Sequence, residues 1–367
     1  MTAKKLLPVL LALFISLAGV SCAPSATPSE SVASPAAPQA SAADTVKFVD
    51  STGREVDIAA NIERIAPSGP LAQIVLYTLC PEKLVGFADE ISESQYEYID
   101  KKYAELPVFG NFYAETFNLE AVMAADPQVI IDIGEIKETA SEDMAGVQER
   151  TGVPAIFIEM EMDTMISAYE TLGKITGSQA QAAKLIEYID ETQTQTQKKV
   201  AAIPEEERIS VYYGQDVGGL TAVVKGTVNA DVIDIAGGLN VSEIEKSIRG
   251  GNTEVSMEQL MLWNPDLILF APGSVYDSVA SRPEWAEIDA VKNRNFFEVP
   301  EGPYNWMGRP PSVNRVLGIK WLSNLLYPEI FDYDMAAEVR EFYRLFYHCD
   351  VTDEQVAALL AKSARQA

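Results

Sequence analysis

The feature that most constrains this chain is a phrase it uses twice. Residues 118–132 read NLEAVMAADPQVIID and residues 256–270 read SMEQLMLWNPDLILF. Glu120 falls on Glu258, Met123 on Met261, Pro127 on Pro265, Ile130 on Ile268, and Asp126 on Asn264. Each copy reads as a short helix, an Asp/Asn-Pro turn and a buried strand, since Pro ends a helix and a β-branched run enters a sheet. A chain that writes this unit twice, half a protein apart, builds two like α/β halves. The Glu in the first turn of each helix is favoured by the helix dipole.

The rest of the chain keeps the same rhythm. Residues 46–66 predict two short strands about the Ser51-Thr52-Gly53-Arg54 turn and a third at 64–66. A helix at 71–79 and strands at 83–89, 128–133 and 153–159 follow. Alternating strands and helices mean βαβ units and a mainly parallel sheet. The rhythm breaks at 177–203, which holds no strand signal and no breaker before Pro204, with Ser178 placed to cap it. Its segment ETQTQTQKK is polar on every face, the pattern of a helix that bridges domains through solvent. About 25 residues would span roughly 37 Å. Beyond Pro204 come a strand at 208–214, a helix at 228–238, the second phrase, a strand at 295–300, and helices at 312–328 and 335–350.

The chain starts with Lys4 and Lys5, then an apolar run from Leu6 to Val20. That is the pattern of a secretory signal, and the run is short for a membrane span of about 20 residues. Cys22 directly after it resembles a bacterial lipobox, although Gly19 stands where Leu is usual, so Cys22 is the expected lipidation site. Residues 23–45 are Ala, Ser and Pro with almost nothing to bury, as in a disordered tether. A net charge of −26 argues against nucleic acid and against direct adhesion to anionic lipid. It leaves room for an anionic ligand, because a local site can be positive. Cys80 and Cys349 are expected in different lobes and unbridged. His348 is the single histidine, which rules out a metal site built of imidazoles, and its aromatic surroundings point to a packing or surface role.

The elements DSTGREVDIAANIERIAPSGP, NLEAVMAADPQVII, the long helix, TEVSMEQLMLWNPDLILF and NWMGRPPSVNRVLGIKWL follow one another in an order that resembles one family. They look like the substrate-binding proteins of ABC importers that serve siderophore-iron, haem, vitamin B12 and some oxyanions. The resemblance covers residues 46 to 365. It implies an α/β fold of two Rossmann-like lobes with mainly parallel sheets, joined by a single long α-helix, with a ligand cleft between the lobes. The expected divisions are a signal peptide at 1–21, a lipidated N-terminus and tether at 22–45, an N-terminal lobe at 46–165, a linker helix region at 166–205 and a C-terminal lobe at 206–367.

In the vitamin B12-binding member of that family, one Glu on each lobe pairs with arginines on the two permease subunits. Glu120 and Glu258 match those positions, so the resemblance implies a permease dimer as partner, and a twofold transporter needs the same charge on both lobes. The family's ligands sit at loops after the carboxyl ends of strands. Here those loops carry Ser68, Gly69, Phe112, Tyr113 and Glu135 in the first lobe. Tyr212, Tyr213, Arg249, Asn252, Tyr304, Trp306 and Arg309 occupy the second. Arg forks onto carboxylate or oxyanion oxygens, and Tyr and Trp stack on a chelate or macrocycle. The expected ligand is small and anionic, an iron chelate of siderophore or haem type, with a molybdate- or tungstate-type oxyanion or a corrinoid as alternatives. Tyr212 and Tyr213 as phenolate ligands to bare ferric iron are a weaker reading, because such sites add His or carboxylates. No resident cofactor, metal site or catalytic residue is expected, and the protein is read as a membrane-anchored monomer. Rival readings are an exported chelatase-like enzyme and a surface receptor that lost its transporter.

Overall fold

The computed structural model describes residues 44–245 and 252–365. The signal peptide, Cys22, nearly all of the tether and Arg249 lie outside the described residues.

Strands β1 (Thr45–Val49) and β2 (Glu55–Ala59) form an antiparallel hairpin. Its turn residue Asp50 is buried and accepts hydrogen bonds from the Thr52 N–H and hydroxyl and from the Phe157 N–H, which fastens the hairpin to the first sheet. That sheet follows from β3 (Ile65–Pro67), α1 (Pro70–Leu79), α2 (Leu119–Ala124), β4 (Val129–Gly134), α3 (Ala140–Thr151) and β5 (Ala155–Glu159). Its order is β3-β4-β5 and every pairing is parallel. The strand expected at 83–89 is reduced to two single bridges, Ile65–Leu84 and Phe87–Val108.

Two helices follow, α4 (Met165–Thr176) and α5 (Gln179–Val200). The second sheet is built from β6 (Ser210–Gln215), β7 (Thr221–Val223), α6 (Asp231–Ile235), β8 (Leu239–Asn240), β9 (Asn252–Glu254), α7 (Met257–Trp263), β10 (Leu267–Phe270), α8 (Asp289–Lys292) and β11 (Phe296–Glu298). Its order is β11-β10-β6-β7-β9, with β8 also on β6. β10 pairs in parallel with β6 and β11, β8 runs parallel to β6, and β7 and β9 are antiparallel. Helices α9 (Asn314–Leu326), α10 (Pro328–Phe331), α11 (Met335–Phe346) and α12 (Asp353–Leu360) complete the chain. The fold is therefore α/β with one parallel and one mainly parallel sheet, as expected.

The connecting helix corrects one expectation. α5 is not bathed in solvent on every face. Ala182, Leu185, Tyr188, Ile189, Thr192, Thr196 and Val200 form a buried stripe along it. Thr192 can be buried because its hydroxyl donates back to the Tyr188 carbonyl at 2.7 Å, which leaves its methyl for packing. The largest core cluster takes residues from both sheets and from α5, α9 and α11.

α11 crosses to the first half and packs on α1. The chain just after it places Tyr347 6.3 Å from Tyr77, ring to ring. His348 is exposed there with its Nε2 3.2 Å from the Tyr77 carbonyl. Cys80 and Cys349 are both free thiols. Cys349 lies against the Glu97 carbonyl, and burial pushes the Cys80 thiol up to about 12.

Candidate functional site

The carboxyl ends of the two sheets face each other. The loop after β3 opens α1, and Gln73 of α1 donates from Nε2 to the Tyr304 hydroxyl in the loop after β11, at 3.2 Å. Gln95 makes a second link, to the Pro303 carbonyl at 3.1 Å. The two halves touch along these links.

On the first side the centre is Asp132, at the end of β4. Its run of apolar neighbours carries it into the sheet, and it is buried. Ser68 donates to its Oδ1 at 2.5 Å and Tyr113 donates to its Oδ2 at 2.7 Å. Burial nevertheless raises its carboxyl above the usual range, outweighing these bonds. Lys137 sits over the Tyr113 ring, 3.3 Å from its centroid. The Phe112 N–H donates to the Ser68 carbonyl, so the loops of Ser68 and Tyr113 are tied twice. Gly69 caps α1 with Pro70 following, and Glu135 is exposed after β4.

On the second side the pleat of β6 separates its two tyrosines, since neighbouring residues of a strand face opposite ways. Tyr213 and Gln215 face the loop after β11. The Tyr213 hydroxyl is buried beside Gln215 and Asn305 without a close hydrogen bond, and burial pushes its phenol up to about 12 against the pull of Gln215, Arg309 and Asn305. Asn252 donates to Gln215 Oε1 at 3.0 Å and leaves its own Oδ1 buried and unpaired. Asn305 accepts from the N–H groups of Met307 and Gly308, which shapes the loop ahead of Arg309. Arg309 is exposed, with no ion pair among the described residues.

Two of the stacking residues expected from the sequence are core residues instead. Tyr212 is fully buried, packs on Trp263 and donates its hydroxyl to the Gly219 carbonyl at 3.0 Å. Trp306 is fully buried edge-on against Trp321. Neither presents a ring face to a ligand. Tyr304 is half-buried, and its hydroxyl is engaged by Gln73. Ser68, Phe112 and Tyr113 come together on one side, as do Tyr213, Asn252 and Arg309 on the other.

Sequence reasoning missed Asp132, Gln215, Asn305 and Arg315. Asp132 did carry a signal, a charge inside the apolar run VIIDIG that folds as a buried strand. Arg315 is buried at the start of α9 and pairs with Asp231 at 2.9 Å. Glu135, Glu159, Glu161 and Asp163 follow β4 and β5, and Asp231 opens α6. Burial first, then these neighbouring acids, raise the Glu161 carboxyl. Acids thus gather at the ends of β4 and β5, with Asp231 and its partner Arg315 opposite them. No group of three His, Cys, Asp or Glu residues among those described could hold a metal ion.

The two copies of the repeated phrase have nearly the same structure. Asn118 and Ser256 each cap their helix, accepting from Ala121 N–H at 3.0 Å and Gln259 N–H at 3.2 Å. Asp126 and Asn264 both take a left-handed backbone, with φ of 48° and 39°. Asp and Asn tolerate that conformation better than most residues, which explains why the Pro is preceded by one or the other. Val122 and Leu260 are buried, and Glu120 and Glu258 are exposed in the first helical turn. The copies part at their last residue, where Asp132 accepts from Ser68 and Tyr113 and Phe270 packs against Trp285 in the core.

Comparison with known proteins gives consistent matches. The periplasmic binding protein family matches residues 77–303. A solute binding protein of an ABC transporter from Sulfurospirillum deleyianum superposes with a TM-score of 0.78 at 28% identity, covering 86% of this chain and 99% of that one. The molybdate periplasmic binding protein MolA of Haemophilus influenzae, solved with molybdate, superposes at 0.69 and 20% identity, over 84% and 99% of the two chains. An uncharacterized ABC transporter substrate-binding lipoprotein of Bacillus subtilis, YvrC, is 21% identical over 290 residues, 78% of this chain and 87% of the relative.

Proposed function

The chain belongs to the periplasmic binding protein family, and from that premise we infer that it captures an iron chelate, of ferric siderophore or haem-like type, for delivery to a permease. Members of the family bind substrates for ABC importers and are not enzymes. In this reading the body divides into lobes at 46–165 and 206–367 about the helical region 166–205, and Cys22 carries the lipid that holds it at the extracytoplasmic face. The name of the Bacillus relative, a lipoprotein, supports that anchor.

The observation that carries the ligand reading is Arg309, exposed and without an ion pair among the described residues, beside the buried Tyr213 hydroxyl. A donor held dry costs free energy unless an acceptor reaches it, and ligand oxygens would supply one. Ser68, Gly69, Phe112, Tyr113 and Glu135 would line the first side of the ligand. Tyr213, Arg249, Asn252, Tyr304 and Arg309 would line the second. The acids after β4 and β5 favour a chelate, with oxygens toward Arg309 and a less negative part toward Glu161, over a bare oxyanion. The oxyanion reading keeps some support from the molybdate-bound neighbour, and a corrinoid is the remaining alternative. Titration of the purified body with ferric hydroxamates, ferric catecholates, haem, cobalamin and molybdate, followed by tryptophan fluorescence, tests this. Saturable binding of an iron chelate alone is the expected result, and exclusive binding of molybdate or cobalamin would overturn it.

Glu120 and Glu258 would pair with cations on two permease subunits. Reversing both to Lys should abolish uptake of the bound ligand while its affinity in the cleft stays unchanged. Unimpaired uptake would refute the pairing.

A further inference from the structure

Packing explains most identities between the two copies of the repeated phrase. The aligned Pro127 and Pro265, and Ile130 and Ile268, are buried and build the junction between helix and strand. Packing does not explain Met123 and Met261. These aligned residues are 44% and 38% exposed, so the core does not demand a methionine at either. Each lies three residues after its exposed Glu in the same helix, and residues three apart share a helix face. Single exposed apolar residues are ordinary on a soluble protein. The same one at the same place on two helices, beside the same charge, is a matched pair. The second copy adds Leu262, 78% exposed, where the first has Ala124.

We propose that Met123 and Met261 are the apolar anchors of a two-point docking surface whose partner is the pair of twofold-related permease subunits. The proposal rests on the docking reading of Glu120 and Glu258. Each subunit presents the same surface, a cation with an apolar recess beside it, and each half of this chain answers with Glu and Met. The carboxylates orient and speed the encounter with a cationic surface, as suits a chain of net charge −26. The methionines, flexible and polarisable, fill the recess and set how long the complex lasts. Leu262 makes the anchor of the second half the stronger one, although the partner is symmetric.

The test places a photo-crosslinking benzoylphenylalanine in the full-length, membrane-anchored chain in its own cells. Positions are 123, 261, 120 and 258 in turn, with 330 as a control, since Ile330 is also exposed, at 41%, but lies on α10 away from both copies. Positions 123 and 261 should both crosslink to one membrane-spanning polypeptide, and position 330 should not. In membranes holding that polypeptide, replacing Met123 or Met261 with Gln should speed dissociation about tenfold each, the equivalent of ~1.4 kcal/mol of lost apolar burial. The loss should be larger when Met261 and Leu262 are replaced together. Crosslinks from 120 and 258 without any from 123 and 261 would remove the anchors and leave the docking reading standing. Silence at all four positions would remove both. Crosslinking to a second copy of this chain would replace the permease with self-association and overturn the proposal.

Discussion

Tyr213 and Asp132 are two buried polar residues with opposite debts. The Tyr213 hydroxyl is buried beside Gln215 and Asn305 with no close hydrogen bond, so it contributes little to the unliganded fold and is available to a ligand acceptor. Tyr213→Phe should leave stability unchanged or raise it by about 1 kcal/mol, while weakening ligand binding. Thermal unfolding and titration of the same variant check both signs, and a destabilised variant would show that the hydroxyl is already satisfied. Asp132 has partners, yet burial raises its carboxyl. The folded state then holds that proton more tightly than the unfolded chain does. The ionised form weighs against folding above the folded-state pKa, and the penalty is absent at pH values below the ordinary carboxylate range. Asp132→Asn removes the penalty. Its melting temperature relative to wild type should therefore rise as the pH climbs past the ordinary carboxylate value of about 4. A gap that stays flat or shrinks would mean the hydrogen bonds from Ser68 and Tyr113 outweigh burial.

At the scale of elements, the repeated unit is held by its ends. α2 and α7 are short, and neither would persist alone in water. A side-chain cap at the start and a left-handed Asp or Asn near the end define each one. Ser256→Ala should cost about 1 kcal/mol in urea unfolding. It should also act on the neighbouring glutamate. The Glu258 carboxyl lies below its ordinary value because its own N–H and Ser256 stabilise the anion. Without Ser256 it should titrate closer to an ordinary glutamate, which a carbon-detected NMR titration of Glu258 would read. An unmoved titration would show that the cap does not hold the carboxylate.

At the scale of the molecule, the core decides how the halves behave. One apolar cluster runs from the first sheet through α5 and α9 to the second, and α11 returns from the second half to lie on α1. Each half also has a smaller cluster of its own, but the shared one is the largest and joins the two. The folded body should therefore unfold in a single calorimetric transition with equal calorimetric and van't Hoff enthalpies. Two resolved transitions would contradict this. The same continuity, with α5 packed along its length, supports a small closure on ligand binding over a wide swing of the halves.

The sequence by itself determined the α/β class, the doubled unit, the long connecting helix and the position of both exposed glutamates. These are matters of period, capping and turn chemistry, which act over a few neighbouring residues and are written locally. The sequence could not tell Tyr212 from Tyr213, because both are buried and the pleat turns one toward Trp263 and the other toward Gln215 and the loop after β11, and only pairing with β7 and β10 sets which. Trp306 reads from the sequence as a ligand platform because an aromatic in a loop looks free until α9 is packed against it. Thr192 and Thr196 read as solvated because burial of a threonine depends on its bond to the preceding turn and on what lies across from it. Asp132 became a site residue only when β3, β4 and the loop of Tyr113 met, 19 residues from Tyr113 and 64 from Ser68. Contacts at such separations depend on how whole elements pack, and no local stretch of chain encodes them alone.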